Sequence, residues 1–139
     1  MRAASRYSKE RVYVDLTSNA YQLQYWDKAT GDWVNEPSTI ALSSGVSFST
    51  KGATQPPSNT QSAIGQSTAC TTKTGSAISG SACITFNSRG IPTDSSGSPT
   101  GDSALYLSDG STTYAVTVSA TPLIRLWFAR ASTNNWVQR

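Results

Sequence analysis

The sequence predicts an α+β domain, one N-terminal helix laid on antiparallel β-sheets. Three observations carry that expectation. The first ten residues, MRAASRYSKE, hold Ala, Arg, Lys and Glu with neither Gly nor Pro, and read as helix. From Arg11 onward apolar residues recur with period two, the mark of a half-buried strand. No second helical run follows, and Gly, Pro, Asn and Asp punctuate the alternating runs.

A helix of ten residues is marginal in water on its own. Residues 1–10 are therefore expected to be the tail of a longer helix that begins upstream, and residues 11–139 a β-rich head. RVYVDLTS puts Val12, Val14 and Leu16 on one face. AYQLQYW alternates Tyr21, Leu23 and Tyr25 with Gln22, Gln24 and Trp26. DKATGD supplies turn residues and WVNE pairs back, a hairpin in which Trp26 and Trp33 face each other. STIALSSGVSFST adds Ile40/Leu42 and Val46/Phe48, giving a first sheet of three or four strands. Residues 50–81 hold almost no large apolar side chain and many Gly, Pro and Ser, so they read as a long surface loop. A second strand group then begins with ACITFNS and continues through ALYLSDG, STTYAVTVSA and PLIRLWFAR. Asp109-Gly110 is the hairpin turn within it, and Ile84 and Phe86 are expected in the core of the second sheet.

The totals exclude more than they assign. A chain of 139 residues suits one domain with a modest core. There is no histidine, which removes the commonest general base, the commonest zinc ligand and every Ser-His or Cys-His arrangement. No Ser-x-x-Lys stands in a convincing setting and no two acids are close by local geometry, so no catalytic residue, metal or cofactor is assigned. No stretch approaches 18 apolar residues. The net charge of +3 leans weakly toward anionic partners. Cys70 and Cys83 would pair in an exported protein and stay as thiols in a cytosolic one. The Ser/Thr/Asn-rich composition favours the exported case and the disulfide.

Four groups of residues invite a functional reading, each with a structural alternative. Arg89-Gly90 could cradle an anion, or could simply turn the chain before Pro92. Asp94, Asp102 and Asp109 have the oxygen chemistry of a calcium site but not its regular spacing, and suit Asx turns. Trp26, Trp33, Trp127 and Trp136 with Tyr21 and Tyr25 could stack sugars or bases, or fill a core. Arg125, Arg130 and Arg139 could line a groove for DNA, or blunt a sheet edge.

The order of elements also resembles a known family. An Ala/Arg-rich helix tail leads into V-x-V-x-L and a Trp-bearing hairpin. ITFNSRG (Ile84–Gly90), ALYL and AVTVSATPLIRLWF follow at intervals similar to those of the minor pilins of type IV pili and the minor pseudopilins of type II secretion, the GspH/FimT-like group. The resemblance runs from Arg2 to Trp136 on short, degenerate motifs. It departs where the family's Gly-Arg after the last Val-Ser strand is replaced by Ala120-Thr121-Pro122-Leu123-Ile124-Arg125, so that only Arg125 stands for a family arginine.

The resemblance implies a non-enzymatic subunit of a pilus or pseudopilus without a small-molecule substrate. It implies a hydrophobic N-terminal helix of roughly 20–25 residues that anchors the subunit in the inner membrane and later packs in the filament. The head would lie outside the cytoplasm, with other subunits as partners. Two further readings stand beside it. One is a DNA-binding minor pilin that takes up DNA through Arg125, Arg130 and Arg139. The other is a secreted carbohydrate-binding β-sandwich that uses the tryptophans.

Overall fold

The computed structural model describes residues 8–139, and these residues are all-β. Nine strands form: β1 (Glu10–Asp15), β2 (Ala20–Asp27), β3 (Asp32–Ala41), β4 (Ser81–Phe86), β5 (Pro92–Thr93), β6 (Ser103–Ser108), β7 (Thr112–Val118), β8 (Ile124–Arg130) and β9 (Val137–Gln138). The α+β expectation is overturned, because no helix occurs among the described residues. Of the predicted helix, residues 1–7 lie outside the described residues. Ser8 and Lys9 are not helical, and Glu10 already belongs to β1. The Lys9 carbonyl accepts the Trp26 amide proton at 2.9 Å, so the chain runs alongside β2 from that point. A local preference worth tenths of a kcal/mol per residue gives way to a paired, packed strand.

The strands divide into a five-stranded sheet, ordered β3-β2-β1-β4-β5, and a four-stranded one, ordered β6-β7-β8-β9. All the pairings are antiparallel. The grouping differs from expectation at β4, which joins the first sheet between β1 and β5 rather than opening the second. Its register with β1 explains why: Val12 meets Ile84 and Val14 meets Ala82, so two apolar alternations coincide on one face. The Val46/Phe48 group forms no strand; Ser47 makes a single bridge to Ser108.

The turns follow their residues. The Asp15 carboxylate accepts the amides of Thr17 and Ser18, at 2.9 and 3.1 Å, and closes the β1–β2 corner. Asp109 does the same for Ser111 and Thr112 in the predicted β6–β7 hairpin, with Gly110 in the left-handed region at φ +94°.

The sheets meet face to face around Val14, Ala82 and Ile84 on one side and Leu105 and Val118 on the other. Their closest approach is at β4 and β6. Ser67 and Thr68 bridge those two edges: the Ser67 amide donates to the Ala104 carbonyl at 2.8 Å, and the Cys83 amide to the Thr68 carbonyl at 2.9 Å. Residues 42–80 form the long excursion expected over 50–81. They lie partly across the other face of the second sheet, where Ile64 packs on Ala104, Tyr106 and Ala115 together with Trp127 and Trp136. Cys70 and Cys83 are joined in a disulfide that staples this excursion to β4.

Candidate functional site

Residues directly opposite each other on paired strands share a face of the sheet. Following the pairs outward from the core therefore shows which residues the two inner faces present. On the first sheet Leu23 lies opposite Val12, and Ile40 lies opposite Tyr21, which lies opposite Val14. On the second sheet Ile124 is opposite Val118, Leu126 is opposite Val116, and Tyr114 is opposite Leu107. Phe128 carries the face from Tyr114 on to Val137.

Six members of these rows (Leu23, Ile40, Tyr114, Ile124, Leu126 and Val137) are between 41% and 55% exposed. Among the described residues one other large hydrophobic, Leu123, is comparably exposed. The sandwich is thus closed where β4 meets β6 and uncovered along its outer strands. Between the sheets lies an apolar trough of about 390 Å³, lined by Val12, Tyr21, Phe48, Phe86, Leu107 and Ile124 among others. Its chemistry suits an apolar side-chain row and offers nothing to a polar substrate.

The predicted site residues fall elsewhere and do not converge. Arg125 shares the outer face of the second sheet with Trp127, whereas Arg130 stands on the inner face, opposite Thr112. Arg139 holds its guanidinium 5.5 Å from the Phe128 ring. The three arginines therefore occupy two faces of one sheet. The tryptophans also separate into pairs. Trp26 and Trp33 meet edge-to-face at 5.4 Å across their hairpin, as expected. Trp127 donates from Nε1 to the Thr117 hydroxyl at 2.9 Å. Trp136 donates to the Gln55 carbonyl at 2.9 Å and stacks edgewise on Tyr106 at 5.8 Å.

Asn87 accounts for the Arg89-Gly90 motif. Its side-chain oxygen accepts the amides of Arg89 and Ile91, at 2.9 and 3.1 Å, and its carbonyl accepts the Gly90 amide at 2.8 Å. Those donors are consumed within the turn, with Gly90 at φ +77°, so no anion cradle forms. Asp94 and Asp109 each spend one carboxylate oxygen on their own turns. Hydrogen bonds from Ser96 in the first case, and from Thr112 and Ser111 in the second, hold both carboxyls below the usual range. Among the described residues no three acids or cysteines are gathered as a metal site would need.

One cluster escaped the sequence reading. Arg11, on the face of β1 away from Val12 and Val14, is only 3% exposed. Its Nε donates to Gln24 Oε1 at 2.7 Å, its Nη1 donates to the Thr71 carbonyl at 2.8 Å, and its guanidinium lies 4.0 Å over Trp33. Burial pushes its pKa down to about 10, against the pull of Tyr13 and Asp32, so it stays cationic at neutral pH. Lys9 sits 4.0 Å over Trp26, its own pKa lowered by burial and by Arg11. The contact from Arg11 to Thr71 spans sixty positions, and no local pattern announces it. Compared with protein-family models, curated proteins and solved structures, the chain matches none of them.

Proposed function

We propose that this chain is the globular head of a minor pilin or pseudopilin, a non-enzymatic subunit of a type IV pilus or type II secretion pseudopilus. In this reading it is held among other subunits by an apolar helix that seats in the trough. The observation that carries the proposal is the pair of uncovered inner faces. Leu23 and Ile40 on one sheet and Ile124, Leu126 and Val137 on the other flank a groove whose walls are already apolar. Exposed apolar rows of this extent in a small domain mark an interaction surface. The occupant must bring its own satisfied backbone, which a helix does and an irregular loop does not.

In this reading the seated helix belongs to a subunit of the filament, this one or a neighbour. The Cys70–Cys83 disulfide supports a head displayed outside the cytoplasm, where such bonds persist. Membrane attachment before assembly would belong to the same apolar helix.

The test is fractionation of the native protein from its own cells. It is expected to sediment with filaments or with the inner membrane, and Leu126→Asp is expected to release it while the purified head keeps its circular dichroism. Recovery of the wild type as a free extracellular or cytoplasmic protein overturns the proposal.

A further inference from the structure

A second cavity, separate from the trough and independent of the filament reading, crosses the outer edge of β4. Residues 67–71 leave that edge on one side and residues 93–103 on the other. Between them lies a space of about 270 Å³. A smaller space of about 150 Å³ continues from it and ends against Trp26 and Trp33. Thr71, Thr85, Thr93, Asp94 and Ser95 line both, so the two form one crevice. Together they sit near the low end of the roughly 300–1,000 Å³ typical of small-molecule sites.

The lining selects a ligand class by exclusion. Asp94 and Asp102 both face the larger space, so an anion meets two carboxylates there. Lys9 and Lys73 flank the smaller one beside Asp94, the carboxylate shared with the larger space, so neither sign of charge finds an unopposed site along the crevice. Those ammoniums are held in place, Lys9 over Trp26 at 4.0 Å and Lys73 by Asp32 at 3.3 Å. A purely apolar ligand would leave the Thr and Ser hydroxyls without partners, at a cost of about 1–3 kcal/mol for each buried one. A neutral, hydroxyl-rich ligand fits on all three counts. Carboxylates accept its O–H groups, ammoniums donate to its oxygens, and threonine hydroxyls do both.

We propose that this crevice binds a neutral saccharide of one or two rings, with Asp102 and Thr85 contacting hydroxyls and the Trp26/Trp33 pair closing its end. Two of the four tryptophans thus take the part that the sequence offered to all of them.

The experiment titrates the ¹⁵N-labelled chain separately with maltose, cellobiose, lactose and N,N′-diacetylchitobiose. Heparin and a single-stranded oligodeoxynucleotide serve as anionic comparators. At least one disaccharide is expected to shift the amides of Thr71, Thr85, Thr93 and Ser95 saturably. Asp102→Asn and Ser95→Trp, both at exposed positions, are expected to weaken that binding by about tenfold or more. The proposal is overturned if no disaccharide moves those amides, if both variants bind as well as the wild type, or if only heparin or the oligonucleotide moves them.

Discussion

On the outer face of the four-stranded sheet Tyr106 is fully buried under the long excursion, whereas on the inner face Ile124 and Leu126 stand more than half exposed. The inner face is the more apolar of the two, the outer one carrying Thr113, Thr117 and Arg125, so apolar content does not decide which is buried. Covering does. The outer face is capped by this chain, and the cap is pinned by polar groups. Gln66 offers its side-chain amide to the Tyr106 backbone in both directions, at 2.8 and 2.9 Å, as a neighbouring strand would. The Tyr106 hydroxyl donates to Gln61 at 2.7 Å. Ser67 exchanges two further bonds with Ala104 through its hydroxyl, both at 3.0 Å. On the inner face the chain's own cover is Phe48, its amide held by Asn19 at 3.0 Å, while Ile124, Leu126 and Val137 stay exposed, the surface expected of a partner that arrives already folded.

That contrast is broken most severely at Tyr106. Tyr106→Ala should cost about 3–5 kcal/mol in urea unfolding, since a filled aromatic site beneath Ile64 and Trp136 becomes a cavity. Next comes the staple. Replacing Cys70 and Cys83 together with serine should cost about 3 kcal/mol, because the closed loop no longer restricts the unfolded chain. Non-reducing and reducing melts of the wild type should differ in the same direction.

A milder effect is expected from pH. Burial pushes the Tyr106 phenol up to about 12, so the folded chain keeps this proton at pH values where the unfolded chain, near 10, has lost it. The phenol's contribution to stability is therefore complete below about pH 10 and lost as the pH rises toward 12. Tyr106→Phe should flatten that part of the stability profile. The smallest change in stability belongs to the inner face. Ile124→Ser with Leu126→Ser should alter unfolding by less than about 1 kcal/mol, since neither side chain is buried in the lone head. The same pair should abolish binding of an apolar helical peptide in a fluorescence-anisotropy assay, which separates surface from core.

The strands were legible because period-two alternation is a local signal. Val12, Val14, Ile84 and Phe86 all face the core where that alternation puts them, Val14 and Ile84 fully buried and the other two partly. The Asp109-Gly110 hairpin follows from turn chemistry confined to four residues. Sheet membership was not legible, since the place of β4 beside β1 depends on a pairing about seventy positions apart. The helical reading of 1–10 failed at Ser8 to Glu10 because pairing with Trp26 and Tyr25 outweighs a weak preference. The disulfide could be weighed from two cysteines alone, but the trough could not, because exposure of Leu126 depends on where the other sheet ends. The polar crevice is harder still. Its walls come from residues 67–75, 83–85 and 93–103 with Lys9, Trp26 and Trp33 at one end, and most of them are the Ser, Thr and Asp that any loop contains.

The central claim is that the uncovered inner faces receive an apolar helix in an assembled filament. Placing p-benzoylphenylalanine at Leu126 in the native protein, and irradiating cells that assemble it, tests that claim directly. The account predicts an adduct whose mass-spectrometric map lies in the apolar helix of a pilin-type subunit, this one or a neighbour. A control probe at Gln22, on the opposite face of the first sheet, should give no such adduct. Equal labelling from both positions, or no adduct from Leu126 in cells that contain the folded protein, would contradict it.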